Sequence, residues 1–152
     1  ARLHVHFYGE IFPEFFEKLN HAPGLHLHGL RSREEAWAAM LDVDALLNIG
    51  NNTAYQLPSK VVDYLASGKP VVHLSYVDED PFLDFWGDAP GLLCLRVRQG
   101  KVVDADLPRW LAFVERPHPL LAVPDRAVHI RAYSVDAVAE RYWALLCAGG
   151  GG

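Results

Sequence analysis

The sequence places groups with binding chemistry where a helix is predicted to begin, at Pro58. Proline is favoured at the first position of a helix, and the backbone amides of Ser59, Lys60 and Val61 would then have no partner inside it. Free amides at a helix start bind anions. The helix dipole disfavours Lys60 there by roughly 0.3–1 kcal/mol, and a bound diphosphate would turn this penalty into attraction. The structural alternative is an exposed pair of Lys60 with Asp63, three residues later.

Two further clusters could hold a metal ion. Four histidines alternate along the first two predicted strands: His4, His6, His26 and His28. They could share one face of a sheet and bind a metal through their imidazoles, although strand histidines more often pack or cap an edge. The acidic run 78–80 suits magnesium, but a solvated loop is the more common outcome for such a run.

Aromatic residues of the segment 75–91 are a candidate sugar-stacking surface. Phe82, Phe85 and Trp86 follow the fourth predicted strand, where a ligand could reach them. The alternative is a short amphipathic helix that packs these rings on the core.

Alternating strands and helices must position these groups. Strands are predicted at 3–8, 25–28, 44–49, 70–74 and 92–96, and helices at 13–19, 32–40, 58–67, 107–115 and 135–146. Ser32 and Glu35 form a capping box, and Gly68 suits a left-handed helix end. The alternation predicts βαβ units, and therefore an α/β fold with a Rossmann-like open parallel sheet and helices on both faces. The connections 75–91 and 117–125 are predicted to be surface crossovers.

Ligands of such a fold bind beyond the carboxyl ends of the strands. That selects the loops 9–11, 29–31, 50–53 and 75–76. The sequence contains no G-x-G-x-x-G dinucleotide fingerprint, no P-loop and no G-x-S-x-G elbow.

Composition narrows the class of protein further. Hydrophobic residues make up 51% of the 152 residues, which predicts one globular domain over residues 1–152. The net charge of −5 argues against nucleic acid as a partner, and the apolar runs are too short for a transmembrane segment. Cys94 and Cys147 form neither a disulfide framework nor a metal motif, which favours a reducing compartment. Because the chain opens inside a strand and its one methionine is Met40, we expect a fragment of a longer protein.

A family resemblance lies in residues 57–72, which read LPSKVVDYLASGKPVV. This run resembles the nucleotide-sugar signature of family-4 retaining glycosyltransferases, in the variant Pro-Ser-Lys-x-x-Glu-Tyr-Leu-Ala-x-Gly-Lys-Pro-Val. The resemblance implies the GT-B fold, in which two Rossmann-like domains face a cleft. This chain would be the C-terminal, donor-binding half, and the N-terminal acceptor domain would be missing from it.

The resemblance also implies roles for individual residues. Asp63 falls on the glutamate that holds the ribose hydroxyls, one methylene shorter. Ser59 and Lys60 fall where the diphosphate binds. Tyr55 stands where the family has a glutamate that contacts the transferred sugar. The polar run Asn51, Asn52 and Thr53 completes this part of the expected donor site.

Two other loops belong to the expected donor site. The loop after the first strand, with Gly9 and Glu10, lacks the arginine and lysine that neutralise the diphosphate in the family. Leu30 falls in the loop that backs the nucleobase. Lys60 or the missing domain would then supply the cation.

The expected function is transfer of a sugar from a nucleotide diphosphate sugar to an unknown acceptor. The resemblance implies a metal-independent reaction without a cofactor, and a cytoplasmic enzyme that is free or held at a membrane by its missing domain. The catalytic residues cannot be assigned from this half, and we expect the fragment alone to be inactive. The alternative is a non-catalytic nucleotide- or ligand-binding module, which the departures at Tyr55 and Glu10 favour.

Overall fold

The computed structural model describes residues 3–86, 90–116, 120, 130–131 and 133–148. The chain divides into two compact units, Ala1–Val43 and Asp44–Gly152. Both consist of alternating strands and helices, and the strand pairing is mostly parallel, which confirms the predicted α/β class. Most of the connection predicted at 117–125 lies outside the described residues.

The first unit is a βαβα segment. Its elements are β1 (Val5–Phe7), α1 (Pro13–Asn20), β2 (Leu25–Leu27) and α2 (Arg33–Asp42). The two strands pair in parallel, with His6 opposite His26. The predicted capping box is confirmed: the Ser32 hydroxyl accepts from the Glu35 amide, and the Glu35 carboxylate accepts from the Ser32 amide. These bonds from Ser32 hold the pKa of Glu35 below its ordinary value.

The second unit contains a four-stranded sheet in the order β3-β4-β5-β6. Its elements are β3 (Leu46–Ile49), α3 (Val61–Ser67), β4 (Val71–Ser75), α4 (Pro81–Trp86), β5 (Leu92–Arg98), β6 (Lys101–Val102), α5 (Leu107–Val114) and α6 (Val135–Ala148). The first three strands are parallel neighbours, and β6 pairs antiparallel with β5. The sequence did not indicate β6, which follows a two-residue turn with positive φ at Gln99 and Gly100.

The predicted start of α3 is wrong. The helix begins at Val61 rather than Pro58, because Ser59 and Lys60 form a turn in which the Val61 amide donates to the Pro58 carbonyl at 3.2 Å. Its predicted end is confirmed, since Gly68 has φ 70° and its amide bonds to the Leu65 carbonyl.

The sheet of the second unit is covered on both faces. On one face, Val72, Leu93 and Leu95 are buried, and Trp110 and Phe113 of α5 pack against them. Neighbouring residues of a strand point to opposite faces, so His73 points to the other one. There it stacks on Phe82 of α4 with 4.1 Å between ring centroids. Helices on both faces were predicted and are confirmed for this sheet.

Asp106 ties β5 to the start of α5. Its buried carboxylate accepts hydrogen bonds from the Arg96 amide at 2.9 Å and from the Arg96 guanidinium at 2.9 and 3.0 Å. Arg109 adds a longer contact at 3.5 Å. The hydrogen bonds from Arg96 lower the pKa of Asp106 to about 2.

We predict that Asp106→Asn removes a contribution to the free energy of unfolding that wild type loses in acid. Since the pKa of Asp106 is about 2 in the fold against an ordinary value of 3.8, its carboxylate stabilises the fold fully above the ordinary pKa. That contribution is lost as the pH falls toward the folded value. Urea unfolding at a series of pH values should therefore show a shallower acid loss for the variant than for wild type. Asp104 is exposed in the short 3-10 turn Asp104–Asp106 that precedes α5. Asp104→Asn is therefore the control, and its stability should fall with decreasing pH as steeply as that of wild type.

Candidate functional site

The loop that follows β3 carries most of the predicted donor residues. Because α3 connects the parallel strands β3 and β4, this loop lies at the carboxyl end of β3, where ligands of α/β folds bind. The Asn51 side-chain amide donates to the Gln56 carbonyl at 2.7 Å and closes the loop on itself. The Thr53 hydroxyl oxygen is buried and, among the described atoms, has no hydrogen-bond partner. Asn52 is exposed.

Tyr55 projects from this loop into solvent. Its side chain is 87% exposed. A ring in that position is free to cover a ligand, but it contributes nothing to the core. The phenol cannot supply the negative charge of the glutamate that the family resemblance places there.

Lys60 and Asp63 form an ion pair. The distance from Nζ to Oδ2 is 3.6 Å, and the Lys60 side chain is exposed whereas Asp63 is half-buried. The structural alternative for Lys60 is therefore present in this structure. Such a pair on a helix surface stabilises by only about 0.2–0.5 kcal/mol, so a diphosphate could displace Asp63 from Lys60 at little cost.

The amides expected to bind an anion are not all free. The Val61 amide is hydrogen-bonded to Pro58, which corrects the prediction of three unpaired donors at Ser59, Lys60 and Val61. Ser59 is exposed in the turn before α3, next to Lys60. Together the hydroxyl, the ammonium and the Asp63 carboxylate present one donor, one cation and one acceptor within a single turn.

The loops after β1 and β2 come together within the first unit. The Gly9 amide donates to the Gly29 carbonyl at 3.0 Å. The two loops border a cavity of about 320 Å³, lined by Gly9, Glu10, Ile11, Phe16, Leu27, Gly29 and Leu30. The structure thus brings Gly9, Glu10 and Leu30 together. Apolar walls with one carboxylate suit an uncharged or cationic group better than a phosphate.

A buried polar network at the carboxyl ends of β3 and β4 was not predicted from the sequence. Asn48 and His73 occupy opposed register positions, and the Asn48 side-chain nitrogen lies 2.7 Å from His73 Nδ1. His73 Nε2 lies 2.8 Å from Asp80 Oδ2. The Ser75 hydroxyl donates to the same oxygen at 2.7 Å, and the Phe82 amide donates to Asp80 Oδ1 at 3.0 Å.

This network positions loops and does not have the arrangement of a nucleophilic triad. The Ser75 hydroxyl donates to Asp80 rather than to His73, so no base is placed to activate it. His73 is fully buried and both of its ring nitrogens have partners. Burial acts to raise the pKa of Asp80, but the hydrogen bonds from His73, Ser75 and Phe82 prevail and the pKa lies below its ordinary value.

Two sequence signals could have indicated the network. Asp80 immediately precedes Pro81, the first residue of α4, and an aspartate before a proline is a typical helix start. The bond from the Phe82 amide to Asp80 is this cap. Polar Asn48 and His73 inside two apolar strands are a second signal, because buried polar groups need partners.

The other predicted clusters have different outcomes. Phe82 and Trp86 are completely buried in α4, so the amphipathic-helix alternative holds for them and they form no exposed sugar platform. Asp78 forms an ion pair with Arg98, whereas Asp80 belongs to the buried network. The carboxylates of the acidic run 78–80 therefore have different partners and do not form one cluster. The four histidines do share one face of β1 and β2. In the described part of the chain, no three or more His, Cys, Asp or Glu residues are grouped to hold a metal ion.

Comparison with known proteins leaves the function to be argued from this geometry. No protein-family model matches the chain, and no curated protein matches it significantly.

Among the described residues, no helix has both the length and the apolar character needed to cross a membrane. Both cysteines are free, with Cys94 half-buried and Cys147 exposed.

We predict that Asp80→Asn destabilises the second unit by about 1.5–3 kcal/mol, the range for hydrogen bonds to a charged group. Three donors converge on the carboxylate, and an amide cannot accept all of them at both of its ends. Chemical denaturation at neutral pH measures the loss. Glu79→Gln removes the neighbouring exposed carboxylate and should change the free energy of unfolding by less than about 0.5 kcal/mol. Equal effects of both variants would show that the buried network contributes no special stability.

Proposed function

We propose that this chain binds the sugar donor of a retaining glycosyltransferase, a nucleotide diphosphate sugar, and that the acceptor domain belongs to a missing part of the protein. The observation that carries the proposal is the position of residues 57–72, which resemble the donor signature of that family. They form the turn before α3, the helix itself and the start of β4. The polar residues at the start of this segment, Ser59, Lys60 and Asp63, therefore lie near the carboxyl end of β3, where an α/β fold binds its ligand.

Asp63 is the proposed ribose contact. It lies on the first turn of α3, and its carboxylate is exposed enough to accept hydrogen bonds from two neighbouring hydroxyls. In the free protein its partner is Lys60. A bound nucleotide would divide this ion pair between two parts of the ligand, with Asp63 on the sugar of the nucleoside and Lys60 on the phosphates.

Ser59 and Lys60 are the proposed diphosphate contacts. The serine hydroxyl and the lysine ammonium are both exposed on the same turn. When the bond to the transferred sugar breaks, negative charge grows on the departing diphosphate. A fixed cation beside that charge stabilises the transition state more than the ground state, which is the electrostatic contribution of this half to catalysis. No metal ion or cofactor is part of the proposal.

The ion pair itself supports the alternative, a non-catalytic nucleotide-binding module. Lys60 is the one basic residue of the loop 50–60, and Asp63 already neutralises it. Tyr55 and Glu10 add no cation. Both functions predict nucleotide binding, so a measurement of sugar-transfer activity in the longer protein separates them. If that protein binds the nucleotide sugar but does not transfer the sugar, the non-catalytic module is the correct function.

Binding at the turn before α3 should be sensitive to added negative charge. Wild type should bind a nucleoside diphosphate weakly, and Ser59→Asp should abolish binding because the new carboxylate occupies the phosphate position. Isothermal titration with UDP, GDP and ADP in turn measures this. Unchanged affinity in Ser59→Asp would place the site elsewhere.

The matched control for this experiment is Ser134→Asp, which adds the same charge just before α6. The Ser134 hydroxyl oxygen accepts from the Ala137 amide at 3.2 Å, so it caps the helix. An aspartate serves equally well as such a cap, so the fold should be kept. This variant should bind the nucleoside diphosphate as wild type does. An equal loss in both variants would mean that added charge weakens binding without regard to position.

Asp63→Asn should weaken nucleotide binding by about 1.5–3 kcal/mol, because a charge-assisted hydrogen bond to the ribose is lost. Its thermal stability should stay close to wild type, since the surface pair with Lys60 contributes little. A 2′,3′-dideoxynucleotide is the second arm of the experiment. Wild type should bind it less well than the ribonucleotide, and the variant should not discriminate. Equal discrimination by both proteins would contradict a ribose contact at Asp63.

A further inference from the structure

One face of the first unit carries a column of five near-parallel aromatic rings, the histidine column. In order along the column they are His4, His26, His6, His28 and Tyr8. Successive ring centroids are 5.1, 4.6, 5.2 and 4.4 Å apart. The column follows from the fold, because alternate residues of a strand share a face and the parallel register sets His6 opposite His26. The histidine rings therefore alternate between the β1 side and the β2 side of the sheet.

Two hydrogen bonds between imidazoles cross from β1 to β2 within the column. His4 Nδ1 lies 2.9 Å from His26 Nε2, and His6 Nδ1 lies 2.9 Å from His28 Nε2. A neutral imidazole has one nitrogen that donates and one that accepts. Each pair of neutral rings therefore has one hydrogen between its facing nitrogens and one free acceptor, the outer nitrogen of the donor ring. Three of the four rings are exposed and His28 is half-buried, so water reaches both pairs.

The number of added protons decides whether each bond survives. The first added proton binds to the free outer nitrogen, and the facing nitrogens keep one hydrogen and one lone pair. A second proton can bind only to that lone pair, which is the last one of the two rings. Both facing nitrogens then carry hydrogens, so the bond is lost and two like charges lie side by side.

No opposite charge compensates the column. Among the described residues, no carboxylate forms an ion pair or a hydrogen bond with any of its rings, and its one further titratable group is the phenol of Tyr8. The helix that packs on β2 is α1, and it covers the opposite face, because Phe16 lines one cavity with Leu27, which points away from its histidine neighbours. The charged residues of α1 therefore do not face the rings: Glu14, Glu17 and Lys18. On α2, the Glu35 carboxylate is held by the Ser32 amide.

We propose that the two histidine pairs are a proton-operated clasp between β1 and β2, which stays closed with one added proton per pair and is opened by the second. Histidine is the side chain that changes its charge between about pH 8 and pH 5, so the clasp responds to mild acid. A closed pair holds one added proton, whereas two histidines of an unfolded chain take up two. Opening therefore takes up protons, and it is favoured as the pH falls.

The clasp lies beside the loops that border the cavity of the first unit. Tyr8 and His28 directly precede Gly9 and Gly29, whose backbone hydrogen bond joins these two loops. Loss of the bond between His6 and His28 therefore also loosens the cavity loops in acid. This consequence is the same whether or not the chain binds a nucleotide.

The first test is a pH titration of the full 152-residue chain, without an affinity tag and with ¹⁵N-labelled histidine, followed by nuclear magnetic resonance of the ring nitrogens. Each histidine of the two pairs should titrate in two separate steps, because the pair takes up its two protons one after the other. His21 is an exposed histidine just after α1, outside the column, and it should titrate in one step.

Two matched variants separate the pairs. His26→Phe and His28→Phe each keep a planar ring in the column and remove the nitrogens of one pair. In His26→Phe, His4 should titrate in one step while His6 and His28 keep two steps. In His28→Phe, His6 should titrate in one step while His4 and His26 keep two.

The second test measures whether the strands open. Hydrogen exchange of the Val5 and His28 amides reports on the first unit, because these amides donate to Gly24 and Phe7 across the two strands. Their protection, corrected for the intrinsic effect of pH on exchange, should fall between pH 7.5 and pH 5 by roughly 2–10-fold for each ring bond lost. The Val71 amide of the second unit, which donates to Gly91, is the internal control and should keep its protection.

Three results would overturn the proposal. They are one-step titration of all four paired histidines as for His21, two-step titration of His4 that persists in His26→Phe, or equal protection of the Val5 and His28 amides at both pH values. The titration and exchange of wild type decide the matter even if a variant does not fold.

Discussion

The carboxylate of Asp80 is the point on which the carboxyl-end loops of the second unit depend. It accepts hydrogen bonds from the His73 imidazole of β4, from the Ser75 hydroxyl at the end of the same strand, and from the Phe82 amide in the first turn of α4. Through His73 it also reaches Asn48 on β3. One buried charge therefore fixes two strands and one helix at the edge where the proposed donor-binding loop begins, since Gly50 follows β3 directly.

Gly50 shows how tightly that edge is built. Its amide bonds to the Leu74 carbonyl at 2.9 Å, and a Cβ at this position would lie 2.6 Å from that same oxygen and 2.9 Å from His73 Cε1. Only glycine lets the two strands approach this closely. The loop that carries Ser59 and Lys60 therefore departs from a rigid base, while its own contacts, such as the bond from Asn51 to Gln56, are few and exposed. A rigid base under a lightly held loop is common where ligands bind.

Local signals in the sequence predicted the elements well, and interactions between elements were predicted poorly. Ser32, Glu35 and Gly68 act on neighbours within a few residues, so their roles could be inferred from the sequence. The start of α3 depends on a competing turn at Pro58, which the helix-start rule does not anticipate. The pairing of His73 with Asn48 depends on strand register, 25 residues apart in the chain, and no local pattern encodes it. For the site, the sequence indicated the loops and the histidine face, but it did not settle whether Lys60 was free or paired.

The contacts around Arg96 also protect the open side of β5. An unpaired strand edge invites another chain to add to the sheet and is a common start of aggregation. Here the Arg96 amide is bound by Asp106, its carbonyl accepts from Val103, and the next two residues pair with the short strand β6. A two-residue strand that begins with a lysine offers little to an incoming chain. The carboxylate that anchors α5 thus also makes the carboxyl-terminal part of this strand edge a poor template for a foreign strand.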